Sequence, residues 1–325
     1  MLINTLCATH ISDDGGPSYA CHALLEAMHT AGFDVSLSCV SIKNNMHKPF
    51  IHLTIPLWAK SLGYRLFSED TLKKYTEWRY LRSYQDSDFA YLWPGTPINI
   101  YRAIKSRGGV LITENVNTHQ ATSKQILDTE YHRLGLIPAH DIDEKNIADE
   151  SAKLELVDYV FSPSSEVTKS LLNADVPNNK ILPTSYGCYE NEILSPEEIC
   201  GRDSRKELTA IFVGRIGIRK GVHLLLDYWA KAGVKGKLKL VGRFESSAMQ
   251  LIEPYLQRND IEHIPFTTDL RSVYLNADVL LFPSLEEGSP LVTYLALGAG
   301  LPSIVSPMGS GGVINNGHGG LVVSR

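Results

Sequence analysis

The sequence predicts an α/β fold of two doubly wound domains, each with a parallel sheet covered by helices. Short apolar runs alternate with helical patterns in both halves of the chain, which is typical of strands joined by crossover helices. A polar, turn-rich stretch at residues 189–206 interrupts this alternation. The chain has 325 residues, enough for two domains that each bury a core. We therefore expect one domain over residues 1–188, a linker over 189–206 and a short second domain over 207–325, facing a cleft at the carboxyl ends of both sheets.

The first half opens with an apolar strand at residues 2–7, followed by a glycine-rich turn and a helix. Apolar residues at every third or fourth position between Ala20 and Ala27 predict the helix, and Gly32 marks its end because glycine tolerates the left-handed conformation there. Further apolar runs predict strands at residues 35–40, 89–92, 110–113 and 159–161, and an acidic amphipathic pattern predicts a helix over 144–157.

The alternation restarts after residue 206. Short apolar runs predict strands at residues 208–213, 237–241, 261–264, 279–282 and 303–305. Helical patterns between them predict helices at residues 221–232, 249–257, 270–276 and 291–297. Helices between most of the strands are what a parallel sheet requires, because its crossovers are long.

Composition narrows the class of protein. The formal net charge is -5, which argues against a surface built as a whole to bind nucleic acid. Five widely spaced cysteines show no zinc-ligand spacing and fit a reducing compartment. The N-terminus lacks the features of a signal peptide, and the longest apolar tract, residues 291–305, is too short to span a bilayer. We expect a cytoplasmic protein.

The turn after the first strand has the sequence Gly15-Gly16-Pro17-Ser18. Glycines let a backbone approach a ligand closely, and the free amides of the following helix can bind an anion. An ordinary strand-to-helix turn explains the same residues equally well. The dinucleotide fingerprint G-x-G-x-x-G is not present here, which disfavours a dehydrogenase on the same architecture.

Two loops of the second half have stronger chemistry. Its first strand runs into Gly214 and Arg215, and Lys220 follows at the start of the next helix. Two cations beside a helix N-terminus suit a diphosphate, although a solvated basic turn is the commoner meaning of such residues. A later strand ends at Phe282 in a loop that contains Glu287, which can accept hydrogen bonds from sugar hydroxyls. This loop opens directly into a helix.

In their order along the chain, these motifs resemble those of the retaining, nucleotide-sugar-dependent glycosyltransferase family 4, which has the GT-B fold of two Rossmann-like domains. The resemblance extends over nearly the whole chain. Its motifs are Gly15-Gly16; Glu114-Asn115-Val116-Asn117-Thr118-His119 with Glu130-Tyr131 and Gly135; Ser162-Pro163-Ser164-Ser165; Pro183-Thr184-Ser185-Tyr186-Gly187; Phe212-Val213-Gly214-Arg215 with Arg219-Lys220-Gly221-Val222; and Pro283-Ser284 with Glu287-Gly288. Singly they are weak, but in this order they are specific.

The resemblance implies an activity and a set of site residues. The first domain would bind a glycan or lipid-linked acceptor, and the second a nucleotide diphosphate sugar, in polysaccharide or glycolipid synthesis. The donor's own phosphate would assist the incoming hydroxyl, so no side-chain nucleophile is implied. No metal or other cofactor is needed if the two cations and a helix N-terminus neutralise the diphosphate. The catalytic residues implied are His119, Arg215, Lys220 and Glu287. The substrate-binding residues implied are Gly15, Gly16, Asn117, Gly214, Gly288, Ser289, Leu291, Val292 and Leu295. For His119, a structural histidine is an equally good interpretation.

Two departures from the family pattern favour a rival function. The family usually has a second Glu, eight residues after the first, that binds the ribose of the nucleotide, and Leu295 stands at that position. The chain also ends at Arg325, whereas the family normally continues through further helices. The rival is a catalytically silent relative that binds sugar nucleotide or glycan, or that serves as a partner of an active transferase.

The stretch at residues 43–82 differs in charge from the rest of the chain. It contains eight Lys and Arg residues and three Asp and Glu residues, a net charge of +5. Large apolar side chains, Trp58 and Trp78 among them, are interleaved with the charges. We expect this region to face anionic lipid or a lipid-diphosphate acceptor, although a solvated pair of basic helices explains it equally well.

Overall fold

The computed structural model describes residues 2–12, 16–86, 88–201 and 207–324. Within these residues the chain forms two parallel sheets of seven strands each and one sheet of two short strands. The predicted α/β class with two doubly wound sheets is therefore confirmed. The chain divides into two compact units, each with one of the large sheets. The first unit comprises Met1–Val116, Glu144–Ser162 and Leu171–Thr184, and the second comprises Asn117–Asp143, Pro163–Ser170 and Ser185–Arg325.

The large sheet of the first unit has the strand order β5-β3-β1-β6-β7-β8-β9, and a short parallel pair, β2 and β4, accompanies it. The strands are β1 (Ile3–Leu6), β2 (His10–Ile11), β3 (Val35–Cys39), β4 (Ser41–Ile42), β5 (Ile51–Leu53), β6 (Phe89–Leu92), β7 (Val110–Glu114), β8 (Tyr159–Ser162) and β9 (Ile181–Pro183). The helices as far as residue 200 are α1 (Pro17–Thr30), α2 (Lys60–Leu66), α3 (Glu69–Ser83), α4 (Ile98–Ser106), α5 (Gln120–Arg133), α6 (Glu144–Leu156), α7 (Ser165–Asn173) and α8 (Pro196–Cys200).

Local sequence signals explain where several of these elements start and stop. Helix α1 begins at Pro17, whose fixed φ suits the first helical position, and Gly32 follows its last turn with a φ of +89°. The Ser68 hydroxyl caps α3 by accepting a hydrogen bond from the Thr71 amide at 3.2 Å. Strand β3 is buried along its whole length, as a central parallel strand should be.

The large sheet of the second unit has the order β12-β11-β10-β13-β14-β16-β15. Its strands are β10 (Leu208–Val213), β11 (Gly236–Val241), β12 (Ile261–Ile264), β13 (Val279–Phe282), β14 (Ser303–Val305), β15 (Asn315–Asn316) and β16 (Gly319–Val322). Its later helices are α9 (Val222–Ala232), α10 (Met249–Leu256), α11 (Leu270–Leu275) and α12 (Leu291–Gly298). Strand β10 pairs in parallel with both β11 and β13 and lies in the centre of a core that includes Phe212, Phe282 and Trp229.

No helix in the described part of the chain is long and apolar enough to cross a membrane. The predicted domain and linker boundaries stay predictions, and residues 202–206 of the linker lie outside the described residues.

Candidate functional site

Strand order in the second unit indicates where a ligand would bind. The chain moves outward from β10 to β11 and β12, and then returns to the other side of β10 with β13. Ligands of open α/β sheets bind at the carboxyl ends of the strands that flank such a reversal. Here those ends are the loop after Val213 and the loop after Phe282. These are the two loops in which the sequence predicted the donor site.

The two loops pack closely, and a glycine permits it. Gly221 precedes α9 with a left-handed φ of +68°, and a Cβ atom there would overlap the carbonyl oxygen of Pro283. The Leu285 amide also donates a hydrogen bond to the Arg219 carbonyl at 2.9 Å. Gly242, which follows β11, permits a similar approach on the other side, because the Gly214 carbonyl oxygen lies where its Cβ would stand. Both loops are therefore held in place by backbone contacts.

Lys220 and Glu287, predicted as catalytic residues, form an ion pair across these loops. The Lys220 side chain is 22% exposed and that of Glu287 is 8% exposed. The Ser284 hydroxyl donates a further hydrogen bond to Glu287 Oε1 at 3.0 Å. The site thus holds a fixed cation and a fixed carboxylate next to each other, one suited to phosphate and the other to sugar hydroxyls.

Arg215, the other predicted cation, is placed differently. Its side chain is 72% exposed, and its Nε lies 3.6 Å from Glu245 Oε1. A charge in that position is screened by water, so it interacts more weakly with an anion than the half-buried Lys220.

A second ion pair lies beside the first. Glu286 is fully buried, and one of its carboxylate oxygens pairs with Arg219. The other oxygen, Oε1, accepts hydrogen bonds from the Thr118 amide at 3.2 Å, the Thr118 hydroxyl at 2.8 Å and the Ser123 hydroxyl at 3.1 Å. Glu286 therefore fixes the start of α5 against the loop after β13. This carboxylate was not predicted from the sequence, because Thr118 and Ser123 are more than 160 residues away from it along the chain.

His119 is buried at the N-terminus of α5, in the segment that Glu286 fixes. Its Nδ1 accepts a hydrogen bond from the Ala121 amide at 3.2 Å, and its own amide donates to the Ser170 hydroxyl at 2.9 Å. Burial lowers the pKa of His119 below its usual value of 6.5. We therefore assign a neutral ring with the proton on Nε2, because Nδ1 acts as an acceptor. Asn117, half-buried, comes two residues before it.

The predicted donor-sugar loop leads into α12. Gly288 and Ser289 are buried, and the Ser289 hydroxyl lies 2.6 Å from the Tyr294 hydroxyl. Leu291 and Val292 form the first turn of α12, with Pro290 before them. Amides at the start of this eight-residue helix face the end of the loop, which is the arrangement expected of an anion site.

Leu295 is half-buried and packs against the hydrophobic core of the second unit. Its neighbours Tyr294 and Ala296 are more deeply buried. Leu295 thus offers an apolar surface at the position where the family has a carboxylate.

Of the two predicted glycines in the first unit, Gly15 lies outside the described residues. Gly16 is the residue before α1, with a φ of +82° and open space where a Cβ would stand. The comparable reversal of this sheet lies between β1 and β6, so the turn after β1 is at the expected place for a ligand.

Aromatic and cationic groups at the carboxyl ends of β11 and β12 were also not predicted as part of a site. The Arg243 guanidinium lies 4.7 Å from the centre of the Phe266 ring, and the Phe244 ring centre lies 4.3 Å from that of His263. Flat rings beside the proposed phosphate loops could have been suspected from the sequence, since Phe244 and Phe266 each follow a predicted strand closely.

Comparison with known proteins agrees with this geometry. Residues 207–325 match the model of a family described as Glycosyl transferases group 1. A curated relative from Haemophilus influenzae, named an uncharacterized glycosyltransferase, is 27% identical over 145 residues, which are 43% of this chain and 39% of that protein. The match therefore spans about two-fifths of the relative's length.

Solved structures show the same fold at low identity. The structure of HepE from Anabaena in complex with UDP-glucose has a TM-score of 0.69 at 14% identity, and the match covers 100% of this chain and 85% of that one. Sucrose-phosphate synthase from Thermosynechococcus elongatus has a TM-score of 0.70 at 19% identity, covering 99% and 85%. WaaG, a glycosyltransferase involved in lipopolysaccharide biosynthesis, has a TM-score of 0.63 at 14% identity, covering 94% and 81%. The chain has the GT-B fold, and the match to the group 1 glycosyltransferase model lies within its second unit.

Proposed function

We propose that this protein is a retaining hexosyltransferase of glycosyltransferase family 4 that moves a sugar from a nucleotide diphosphate sugar to a hydroxyl acceptor. The observation that carries the proposal is the pairing of Lys220 with Glu287 at the strand reversal of the second unit, beside the N-terminus of α12. The group 1 match over the same residues supports it. HepE and WaaG support it as structural relatives, since the first binds UDP-glucose and the second takes part in lipopolysaccharide biosynthesis.

The ion pair suggests how the donor would bind. In the free protein Glu287 balances the charge of Lys220. An entering diphosphate offers Lys220 a partner of higher charge, and this leaves Glu287 to accept hydrogen bonds from the sugar hydroxyls. Lys220 then stabilises the negative charge that grows on the diphosphate as it leaves. Arg215 adds a weaker, solvent-screened contribution.

The transfer step that we propose retains the configuration of the sugar. The bond from the sugar C1 to the phosphate oxygen breaks, and a bond from the acceptor oxygen to C1 forms on the same face. The acceptor proton passes to an oxygen of the leaving phosphate, so no protein nucleophile is used. His119, neutral and with its proton on Nε2, would donate a hydrogen bond to the sugar and would not act as a cation.

On the acceptor side, we propose a glycan or lipid-linked hydroxyl compound bound by the first unit near Gly16, in the synthesis of a cell-surface polysaccharide or a glycolipid in the cytoplasm. The turn before α1, at the strand reversal, supports this placement.

A second candidate is a catalytically silent relative that binds sugar nucleotide or glycan. The specific observation that favours it is Leu295, which packs on the core and cannot accept hydrogen bonds from a ribose. Binding without turnover would distinguish this candidate from an active transferase.

The test is calorimetric titration with UDP, GDP and ADP sugars, together with an assay for donor hydrolysis. Lys220→Ala is expected to weaken donor binding about ten- to a hundredfold, since a charge-assisted hydrogen bond contributes about 1.5 to 3 kcal/mol. Lys220→Arg should recover only part of this loss. The matched control is Lys231→Ala, because Lys231 also pairs with a carboxylate, Asp227, on the exposed side of α9.

Arg215→Ala should have a smaller effect than Lys220→Ala, in line with its exposure. If no nucleotide sugar binds, or if Lys220→Ala binds it as well as the unchanged protein does, the proposed donor site is wrong.

A further inference from the structure

Helix α2 of the first unit exposes apolar side chains along one side. Trp58 lies just before the helix and is 87% exposed, and Leu62 and Leu66 follow at intervals of four residues with 53% and 63% exposure. Residues four apart lie on the same face of a helix, so these three form a stripe. Phe67, directly after the helix, is also exposed.

Lys60 and Tyr64 of α2 face the protein. The Lys60 ammonium lies 3.3 Å from His10 Nε2, and the Tyr64 hydroxyl lies 2.8 Å from the Ser41 hydroxyl. The Ser41 hydroxyl in turn lies 2.8 Å from His10 Nδ1. Lys60 and Tyr64 are also four residues apart, on the face opposite Leu62. Tyr64 also packs on a buried apolar cluster that contains Ile55, so Leu62 and Leu66 are left on the outward side, where an ordinary surface helix has polar residues.

The next helix, α3, repeats the arrangement in part. Its inward face buries Leu72, Thr76 and Tyr80, whereas Tyr75 and Trp78 are each about half exposed. The rings of Tyr75 and Trp78 stack with their centres 5.5 Å apart, and the Arg82 guanidinium lies 4.8 Å from the Trp78 ring centre. Two consecutive helices thus present apolar side chains to solvent.

Cations surround these side chains. Arg65, Lys74 and Arg82 are exposed on α2 and α3. Of the nearby carboxylates, Asp70 pairs with Lys74, and Glu77 is buried, which raises its pKa. Four of the eight cations in residues 43–82 are exposed, against two exposed carboxylates, Glu69 and Asp70, so the surface of this stretch keeps a net positive charge.

We propose that this surface docks onto an anionic lipid bilayer, so that the protein is peripheral on the inner face of the membrane. This surface, the α2–α3 face, consists of the exposed apolar and aromatic side chains and the cations around them: Trp58, Leu62, Leu66, Phe67, Tyr75 and Trp78 with Arg65, Lys74 and Arg82. Trp and Tyr favour the boundary between hydrocarbon and water, and Lys and Arg reach from there to anionic headgroups. A positive rim complements the negative charge of the cytoplasmic leaflet. The inference goes beyond sugar transfer and does not depend on it.

The test is co-sedimentation of the full chain with two kinds of vesicle, phosphatidylcholine alone and phosphatidylcholine with phosphatidylglycerol. We expect binding to the mixed vesicles that weakens as salt is added, because screening acts on exposed charges. Arg65→Gln and Arg82→Gln should each lower the partition coefficient about fivefold. The matched control for charge is Arg102→Gln, an exposed arginine on α4 of the same unit.

The apolar contribution is tested with Leu62→Ser and Leu66→Ser together, which should reduce binding about tenfold or more. Phe33→Ser is the control, since Phe33 is 57% exposed in the same unit and lies outside the α2–α3 face. Donor binding should be the same in all of these variants, so that failure here is separate from failure of the proposed function.

Tryptophan fluorescence gives a test that requires no destabilising substitution. The chain has four tryptophans, of which Trp93 and Trp229 are buried. Vesicles should shift the emission of Trp58 and Trp78 to shorter wavelength, and brominated lipid should quench it. Trp58→Phe with Trp78→Phe should keep vesicle binding and lose the shift.

Several results would overturn the proposal. They are absence of binding, equal binding to both kinds of vesicle, or an equal loss in Phe33→Ser. The proposal would also be wrong if the protein did not bind vesicles and the combined Leu62→Ser and Leu66→Ser change altered its oligomeric state, because the α2–α3 face would then be a protein interface.

Discussion

Replacing Leu295 by Glu tests whether α12 is placed to bind a ribose. The substitution introduces the carboxylate that glycosyltransferase family 4, which the sequence resembles, usually has at this position. Because Leu295 is half-buried against the core, the change removes about half of the burial energy of a leucine, or about 1 to 1.5 kcal/mol. A half-exposed carboxylate can keep water contacts, so it avoids most of the cost of a buried charge. We therefore expect the free energy of unfolding to fall by about 1 to 2 kcal/mol and the melting temperature by a few degrees.

Donor affinity should change in the opposite direction. Hydrogen bonds from ribose hydroxyls to a carboxylate contribute about 1.5 to 3 kcal/mol, which corresponds to a ten- to hundredfold gain in affinity. Calorimetric titration with the best nucleotide sugar and thermal unfolding without ligand measure the two effects separately.

The control for this experiment is Leu297→Glu. Leu297 is also half-buried on α12 and packs on the same core, but two residues along a helix it points to a different side. It should lose similar stability and gain no affinity. A loss of several kcal/mol in Leu295→Glu without any gain in affinity would refute the ribose assignment, and it would show that Leu295 acts as a core residue.

Three further outcomes are expected. In urea unfolding, Gly221→Ala should destabilise the second unit by more than the ~1 kcal/mol of a left-handed alanine, because its Cβ would meet the Pro283 carbonyl. The control is Gly233→Ala, which has a φ of +59° and open space around it and should therefore lose only that amount of stability. Glu286→Gln should lower the free energy of unfolding by about 1 to 3 kcal/mol, because it weakens the ion pair with partly exposed Arg219 and leaves a donor amide facing other donors. An unchanged free energy of unfolding would contradict the role given to Glu286. The folded pKa of His119 lies below 6.5, so the unfolded chain binds more protons than the folded chain as the pH falls through that value. His119 therefore contributes stability above pH 6.5 that is lost toward lower pH. His119→Asn, which keeps a helix cap, should show a free energy of unfolding in urea that depends less on pH between about 5 and 7.

The sequence predicted most of the large sheets well, because their strands are apolar runs bounded by turns. In the second half, every strand and helix for which both ends were predicted begins and ends within one residue of the predicted position. Neither helix α5 nor the bounds of α3 were predicted, since the apolar residues of both helices do not follow a regular helical stripe. In α3 two of the exposed residues, Tyr75 and Trp78, are aromatic, which obscures the difference between the inner and outer faces.

Site residues could be predicted where chemistry follows a strand end, and not where it depends on distant contacts. Lys220 and Glu287 belong to motifs that can be read locally, and they do meet. Glu286 stands next to Glu287 and has the same side chain, yet it faces Thr118 and Arg219. Which of two adjacent carboxylates faces which partner depends on backbone direction in the loop, and the sequence contains no local signal for it.

The second unit is discontinuous along the chain, and this limits how it can be exchanged between proteins. Its carboxylate Glu286 and its histidine His223 take partners from residues 117–143, among them Ser123 and Glu130. A chimera joined at residue 207, where the family match begins, would supply these partners from a foreign chain. Grafts that keep residues 117–143 and 163–170 together with 185–325 should fold more reliably than a simple swap of carboxyl-terminal halves. Natural recombination within such a gene would meet the same constraint.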